Sequence, residues 1–349
     1  MTRFRTKTRL TAISATAFLL LAFHPSEAAA QNPPDSVLSR RLATLADSFA
    51  NAGQFSGTIL LAHHDTAVFA RAWGLADRAN NRPNTIETAF NLASVGKLFT
   101  RTAVEQLEHA GKLSDDSTIA AYWPSYPNAA VARGATVGQL VSMSSGIGGD
   151  IFGTPRTTHS IRTLQDYLRQ FVNEPPAFAP GARREYSNAG YVVLGALVER
   201  ASGEEYFAYL RRHLFDPAGM TRTGAYDADS LPAFAAIGYT RNGEGPADTT
   251  LRANTAGLPG RGSPAGGSYS TVTDLLRYVR AVRSGAIAGT SGKPVPWAGG
   301  TPGANTVLLP NLPDDHTLIV LANMDPPVAT AIADRVREWL GAPPGPGRR

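Results

Sequence analysis

Phe90-Asn91-Leu92-Ala93-Ser94-Val95-Gly96-Lys97-Leu98-Phe99-Thr100 opens a helix that is predicted from Ser94 to Ala110 and stops at Gly111. Ser94 and Lys97 stand three residues apart in it. On a helix such positions share a face, so a hydroxyl and an amine can meet. Ser94 would sit at the helix N-terminus, where free N–H groups favour a developing anion. A neutral Lys can take the serine proton once its ordinary pKa of ~10.4 has fallen through burial or a nearby cation. Alone, Ser-x-x-Lys is a weak signal, and an ordinary helix cap reads the same way. The scarcity of Lys adds weight. Only Lys7, Lys97, Lys112 and Lys293 are found among the 33 basic residues, and the rest are Arg, which stays protonated at working pH.

The chain has 349 residues, 43% of them hydrophobic and 17% charged. That charge is below the ~25% of ordinary globular chains, so a sizeable folded core is expected and general disorder is not. The absence of Cys excludes disulfides, thiolate metal sites and a Cys nucleophile. The net charge of +5 suggests a basic protein and nucleic acid as a partner. However, Arg3, Arg5, Lys7 and Arg9 precede an apolar run from Leu10 to Phe23, followed by Pro25, Ser26 and Ala28-Ala29-Ala30. This pattern predicts a secretory signal peptide over 1–30, cleaved after about Ala30, and hence a periplasmic or secreted protein. The apolar run is short for a membrane span of ~20 residues, and no span is expected in the mature chain. Without residues 1–30 there remain 29 basic and 27 acidic residues, a net +2, so nucleic acid is not an expected partner.

Leu38, Leu42, Leu45 and Phe49 form one helical stripe that Asp35 or Ser36 can cap. Phe55–Ala62 and Ala67–Gly74 read as a hairpin around His63-His64-Asp65-Thr66. Residues 112–230 carry loops and helices, the clearest at Thr163–Val172, Ala189–Ala201 and Glu204–Leu214. The Gly-rich loop Gly257–Gly267 precedes a helix from about Thr273 to Ser284. Strands return at Asn305–Leu309 and Thr317–Asn323, before a last helix carrying Val328, Ile332, Val336 and Leu340. Residues 341–349 read as a disordered tail. The fold class is α/β of the α+β type. An antiparallel sheet is built from both chain ends and flanked by the terminal helices, with a helical region inserted, in a single domain over 31–340.

Two further segments carry chemistry. Tyr186-Ser187-Asn188 precedes an apolar helix, where Tyr can relay a proton and Asn can orient an amide or the Lys amine. Tyr126-Pro127-Asn128 repeats the pattern in what looks like surface turn packing, so the pattern discriminates poorly by itself. Trp297-Ala298-Gly299-Gly300-Thr301-Pro302-Gly303 precedes a strand, and its glycines allow close approach to the backbone. Other candidates are bland. Gly260-Arg261-Gly262 only mimics a dinucleotide fingerprint. His63-His64-Asp65 sits in a turn with no fourth metal ligand nearby, and His109, His159, His213 and His316 are expected at the surface.

The segment Phe90–Thr100 resembles the nucleophile segment of the serine β-lactamase-like family, which includes class C β-lactamases, penicillin-binding DD-peptidases and related esterases. Further resemblances follow in order. They are Gln139–Ile147, Pro180-Gly181 through Tyr186-Ser187-Asn188 to Gly195, Asp216–Met220, and Ala265–Thr271. Together they span about residues 37–340. The resemblance implies an acyl-enzyme on Ser94, with Lys97 and Tyr186 sharing the proton transfer. It implies that Asn188 positions substrate and Lys97, with Trp297 and Gly299 at the substrate, and that the backbone N–H groups of Ser94 and Gly300 form the oxyanion hole. No metal or cofactor is implied.

Two departures matter. The family's third motif is Lys-Thr-Gly or His-x-Gly, and Trp297-Ala298-Gly299 stands here instead. Trp offers an apolar face and one N–H donor, where the family's cation or imidazole helps to hold a substrate carboxylate. Some esterases of the family carry Trp-x-Gly, which favours small acyl esters as substrates; Arg261 is a candidate for the missing charge. Second, the stretch before Trp297 is short and carries Pro294 and Pro296, so the sheet is expected to lose a strand there and Gly300 to be less firmly held. The expectation is an exported, carboxylesterase-like serine hydrolase acting on a small-molecule ester or peptide-like substrate. The alternatives are DD-peptidase, penicillin-binding or β-lactamase activity, or a catalytically weak or silent binding protein.

Overall fold

The computed structural model describes residues 33–154, 156–241 and 250–343. The leader expected at 1–30 and the tail beyond 343 lie outside them. Among the described residues no helix is long and apolar enough to cross a membrane.

In chain order the principal elements begin with helix α1 (Asp35–Asn51), strands β1 (Gly57–His63) and β2 (Thr66–Trp73), and helices α2 (Lys97–His109) and α3 (Asn188–Ser202). They continue with helix α4 (Val272–Ser284), strands β3 (Trp297–Thr301), β4 (Ala304–Leu312) and β5 (His316–Ala322), and helix α5 (Val328–Trp339). The five strands form one sheet in the order β2-β1-β5-β4-β3, every neighbouring pair antiparallel. The two chain ends meet along β1 and β5, in register from Gly57 opposite Ala322 to His63 opposite His316.

Both faces of the sheet are covered. Ile59 and Leu61 of β1 pack with Leu38 and Leu42 of α1 and Ile332 and Val336 of α5. Leu60 faces the other way, with Leu308, Ile319 and Leu321, into the helical region. Side chains alternate across a strand, so both sets are buried and β1 reads as an unbroken apolar run. In the hairpin the strands reach His63 and Thr66, leaving His64 and Asp65 at φ 45° and 58°. Two successive left-handed residues give the turn whose twist matches its strands.

Several local expectations are corrected. Neither Asp35 nor Ser36 caps α1, which follows Pro34 with no side-chain cap. The Asp35 carboxylate is drawn instead to His63 and His316. The helix expected at Thr163–Val172 is confined to Leu164–Arg169, and that at Glu204–Leu214 divides into Tyr206–Leu210 and a wider turn, Arg211–Phe215. Residues 288–296 form no strand, as their prolines predict, but the motif itself is β3, paired with β4 from Trp297 opposite Leu308 to Thr301 opposite Ala304. No strand forms in the stretch where its loss is expected, but Gly300 is not left loose: it is paired within β3, opposite Asn305 of β4. The tail begins ordered: the Gly341 and Ala342 N–H groups donate to the carbonyls of Glu338 and Arg337.

Leu61 is wholly buried between the sheet and the terminal helices. Leu61→Ala is expected to lower the free energy of unfolding by about 2–5 kcal/mol through lost transfer energy and a residual cavity. Chemical denaturation should show a lower midpoint at unchanged slope.

Candidate active site

Ser94 lies in a tight 3-10 turn, Ala93–Gly96, that runs straight into α2. In that geometry residues three apart eclipse, which sets Lys97 directly behind Ser94. Ala93, just before the serine, sits at φ 44°, a left-handed conformation that costs an alanine energy. Its N–H donates to Asn91 Oδ1 at 2.8 Å, and its carbonyl accepts the Gly267 N–H at 3.2 Å. Backbone presses on this turn from two sides. A Cβ on Gly266 would come within 2.3 Å of the Ala93 carbonyl oxygen, and one on Gly299 within 2.7 Å of both the Ser94 nitrogen and the Leu92 carbonyl oxygen.

Lys97 is fully buried. Its Nζ donates to Ser94 Oγ at 3.2 Å, Asn188 Oδ1 at 2.7 Å and the Ala265 carbonyl at 2.5 Å. It also stands 4.8 Å from the ring centre of Tyr186 and 5.6 Å from that of Tyr191. No carboxylate is among these partners, and burial lowers the amine's pKa to about 7. On losing a proton the amine keeps two N–H donors. The carbonyls of Asn188 and Ala265 accept those two, and the lone pair is left facing Ser94 Oγ.

Tyr186 Oη lies 2.5 Å from Ser94 Oγ. Much of the ring is exposed, but its hydroxyl end is turned inward. Burial raises its pKa, with the bond to Ser94 pulling the other way, so the phenol holds its proton at neutral pH. The amine and the phenol are thus pushed in opposite directions, the pattern that separates a base from an acid. Asn188 is the first residue of α3, whose start is fixed by Ser187 Oγ accepting the Gly190 N–H at 2.9 Å. The resembling Tyr126 and Asn128 are structural: Tyr126 packs edge-on against Trp123, and Asn128 caps a short helix.

Ser94, Tyr186, Asn188 and Gly300 line one cavity of about 480 Å³. Its far wall is apolar and aromatic, with Ile151, Phe152, Tyr167, Tyr226, Leu258 and Pro259. Trp297 and Gly299, expected at the substrate, are not among the lining residues. They share the face of β3 that is turned to the nucleophile turn and the core, where Trp297 packs edge-on against Tyr191 with ring centres 6.0 Å apart. Arg261 does line the cavity. Its Nε donates to the Ala225 carbonyl at 3.1 Å and its guanidinium lies 5.1 Å from the Phe207 ring centre, with no carboxylate partner among the described residues.

Other parts of the site escape sequence reading. Thr306 Oγ1 donates to the Leu92 carbonyl at 2.7 Å, and Asn305 Nδ2 to the Gly299 carbonyl at 3.0 Å. These two residues of β4 fasten the nucleophile turn and β3 to the middle of the sheet. The available signal was two adjacent polar residues just before the apolar run Val307-Leu308-Leu309. The Ala265 carbonyl, a backbone acceptor, carries no side-chain signature at all.

Comparison with known proteins places the chain in a family. The chain is 30% identical to Esterase EstB of Burkholderia gladioli over 71% of this chain and 70% of that protein. It is 30% identical to Penicillin-binding protein 4 of Amycolatopsis lactamdurans over 64% of this chain and 58% of that one. The chain spans about half the length of the penicillin-binding relatives it matches. Its fold superposes on the crystal structure of a penicillin-binding protein from Bacillus halodurans with a TM-score of 0.74, at 27% identity, covering 85% of this chain and 98% of that one. The Beta-lactamase family model matches residues 42–306. A match over that much of the chain, on a fold of the same kind, means that this protein belongs to the Beta-lactamase family.

Proposed function

We propose that the protein is an exported carboxylesterase-like hydrolase that cleaves small acyl esters through an acyl-enzyme on Ser94. The carrying observation is the absence of a cation at the third motif, where Trp297 packs against Tyr191 and leaves the cavity an aromatic and apolar far wall. Such a wall suits an uncharged acyl group. Export rests on the basic and apolar leader at 1–30.

In this reading the neutral Lys97 amine receives the Ser94 proton, directly or through Tyr186, as Oγ attacks the ester carbonyl carbon. The N–H groups of Ser94 and Gly300 hold the resulting oxyanion. The carbon–oxygen bond to the alcohol breaks, and Tyr186 supplies the proton that the leaving alcohol takes, drawing its replacement from Lys97. Water then attacks the acyl-enzyme along the reverse proton path, releasing the acid and restoring Ser94. A DD-peptidase, penicillin-binding or β-lactamase role is the second reading, favoured by Arg261, a cavity-lining cation without a carboxylate partner among the described residues. The silent-binder reading loses its main support because β3 is paired with β4 along its whole length, from Trp297 to Thr301.

Mass spectrometry after treatment with a fluorophosphonate, an activated ester and a penicillin is expected to show an adduct on Ser94 that Ser94→Ala abolishes. No adduct with any probe overturns the proposal, and a penicillin adduct without ester turnover selects the second reading. Since the amine works as a base only when unprotonated, kcat/KM should rise with pH through about 7 and level off above it. A profile flat from pH 5 to 9 contradicts this role. Lys97→Arg keeps the charge but cannot act as a base, so acylation should fall by about 10²–10⁴-fold. Gly299→Ala drives a Cβ into the Ser94 and Leu92 backbone, and stopped-flow acylation should slow by about 100-fold.

A further inference from the structure

At the opposite end of the sheet from Gly300, three residues from distant parts of the chain converge. Asp35 opens α1, His63 ends β1 and His316 begins β5, and their ligand atoms lie within 4.8 Å of one another. The separation from the active site follows from the register. His63 faces His316 at one end of β1 and β5, whereas Ala322 faces Asn305 at the other, and Asn305 faces Gly300. Six residues of strand put about 20 Å between the two ends.

His316, expected at the surface, is buried to 1% exposure. Its Nδ1 lies 2.9 Å from the Pro313 carbonyl, which can only accept, so Nδ1 carries the hydrogen. In a neutral ring Nε2 is then a lone pair, and it faces Asp35 Oδ1 at 3.0 Å. His63 repeats the arrangement. Its Nδ1 faces Asp35 Oδ2 at 2.9 Å, while its buried Nε2 has no hydrogen-bond partner and stands 3.6 Å from Asp314 Oδ2. A hydrogen on Nε2 would point at that carboxylate and leave Nδ1 as the lone pair. The two imidazoles are stacked, with ring centres 4.3 Å apart and planes within 11°.

We propose that Asp35, His63 and His316 bind one divalent transition-metal ion of the zinc class. A single dication takes both imidazole lone pairs and the Asp35 carboxylate once one ring turns out of the stack, because an ion cannot lie in two parallel ring planes at once. The remote ring nitrogens already face the outer partners typical of metal-bound histidines, a backbone carbonyl for His316 and a carboxylate for His63. Two imidazoles and a carboxylate suit zinc, with copper and nickel as competitors. Asp35 is partly open to solvent, which leaves room for water as a fourth ligand. The ion would join the first residue of α1 to the hairpin and to the β4–β5 turn. Its role is structural, since Ser94 is remote.

The test is zinc titration of the chelator-stripped protein by calorimetry, with cobalt absorption as a second probe. One ion per chain is expected, with a rise in melting temperature of about 5 °C at saturation. His63→Gln and His316→Gln should each weaken binding by about 100-fold or more, and Asp314→Asn, which keeps all three ligands, by about 10-fold. His213→Gln should leave affinity unchanged, because that ring lies on Glu204 and touches none of the three ligands. Ester turnover should be equal in stripped and loaded protein. No uptake at one equivalent overturns the proposal. So does affinity indifferent to His63→Gln and His316→Gln, or stability that responds to pH but not to zinc, the sign that protons alone hold the cluster. Asp314→Asn keeps the ligand set and guards against misfolding of the histidine variants.

Discussion

The Lys97 amine is held in a dry site by oxygen atoms that carry no net charge. A carboxylate in place of any of them would keep the lysine a cation and useless as a base. Much of the architecture serves that exclusion. Helix α2 places the lysine in the core, α3 brings Asn188 and the Tyr191 ring, and the Gly-rich loop brings the Ala265 carbonyl. Burial thus does two things at once: it lowers the proton affinity of the amine, and it fixes the direction of the lone pair that results.

The sheet supplies rigidity to the site. Because terminal helices cover one face and the helical region the other, β4 cannot shift without disturbing two packed layers. Asn305 and Thr306 transmit that rigidity to the reacting atoms by bonding β3 and the nucleophile turn. Asn305 also accepts the N–H of Ala329 at 2.7 Å, which links the site to the start of α5.

Much of this was legible in the sequence wherever the signal was local. The Ser94–Lys97 spacing, the helix after Asn188, the terminal hairpins and the composition of a sheet buried on both faces all follow from near-neighbour patterns. What was not legible depended on distant segments meeting. Asp35 looked like a helix cap because nothing in its neighbourhood reveals two histidines brought to it by β1 and β5. His316 looked like a surface residue for the same reason. Trp297 looked like a substrate contact, but strand alternation turns it away from the cavity and onto Tyr191. The prolines before it correctly deny a strand to that stretch, yet the strand forms one step later on the motif itself.

The nucleophile turn lies between two stretches of bare backbone, at Gly266 and Gly299. At these positions the usable alphabet shrinks to a single letter, so natural variation has almost nothing to work with beside Ser94. Diversity must come from the opposite wall, where Ile151, Phe152, Leu258 and Pro259 are carried on loops. The cavity thus joins a sterically locked turn to a wall of side chains with room to change. Exchanges in those loops would reshape the cavity without touching the turn that carries Ser94.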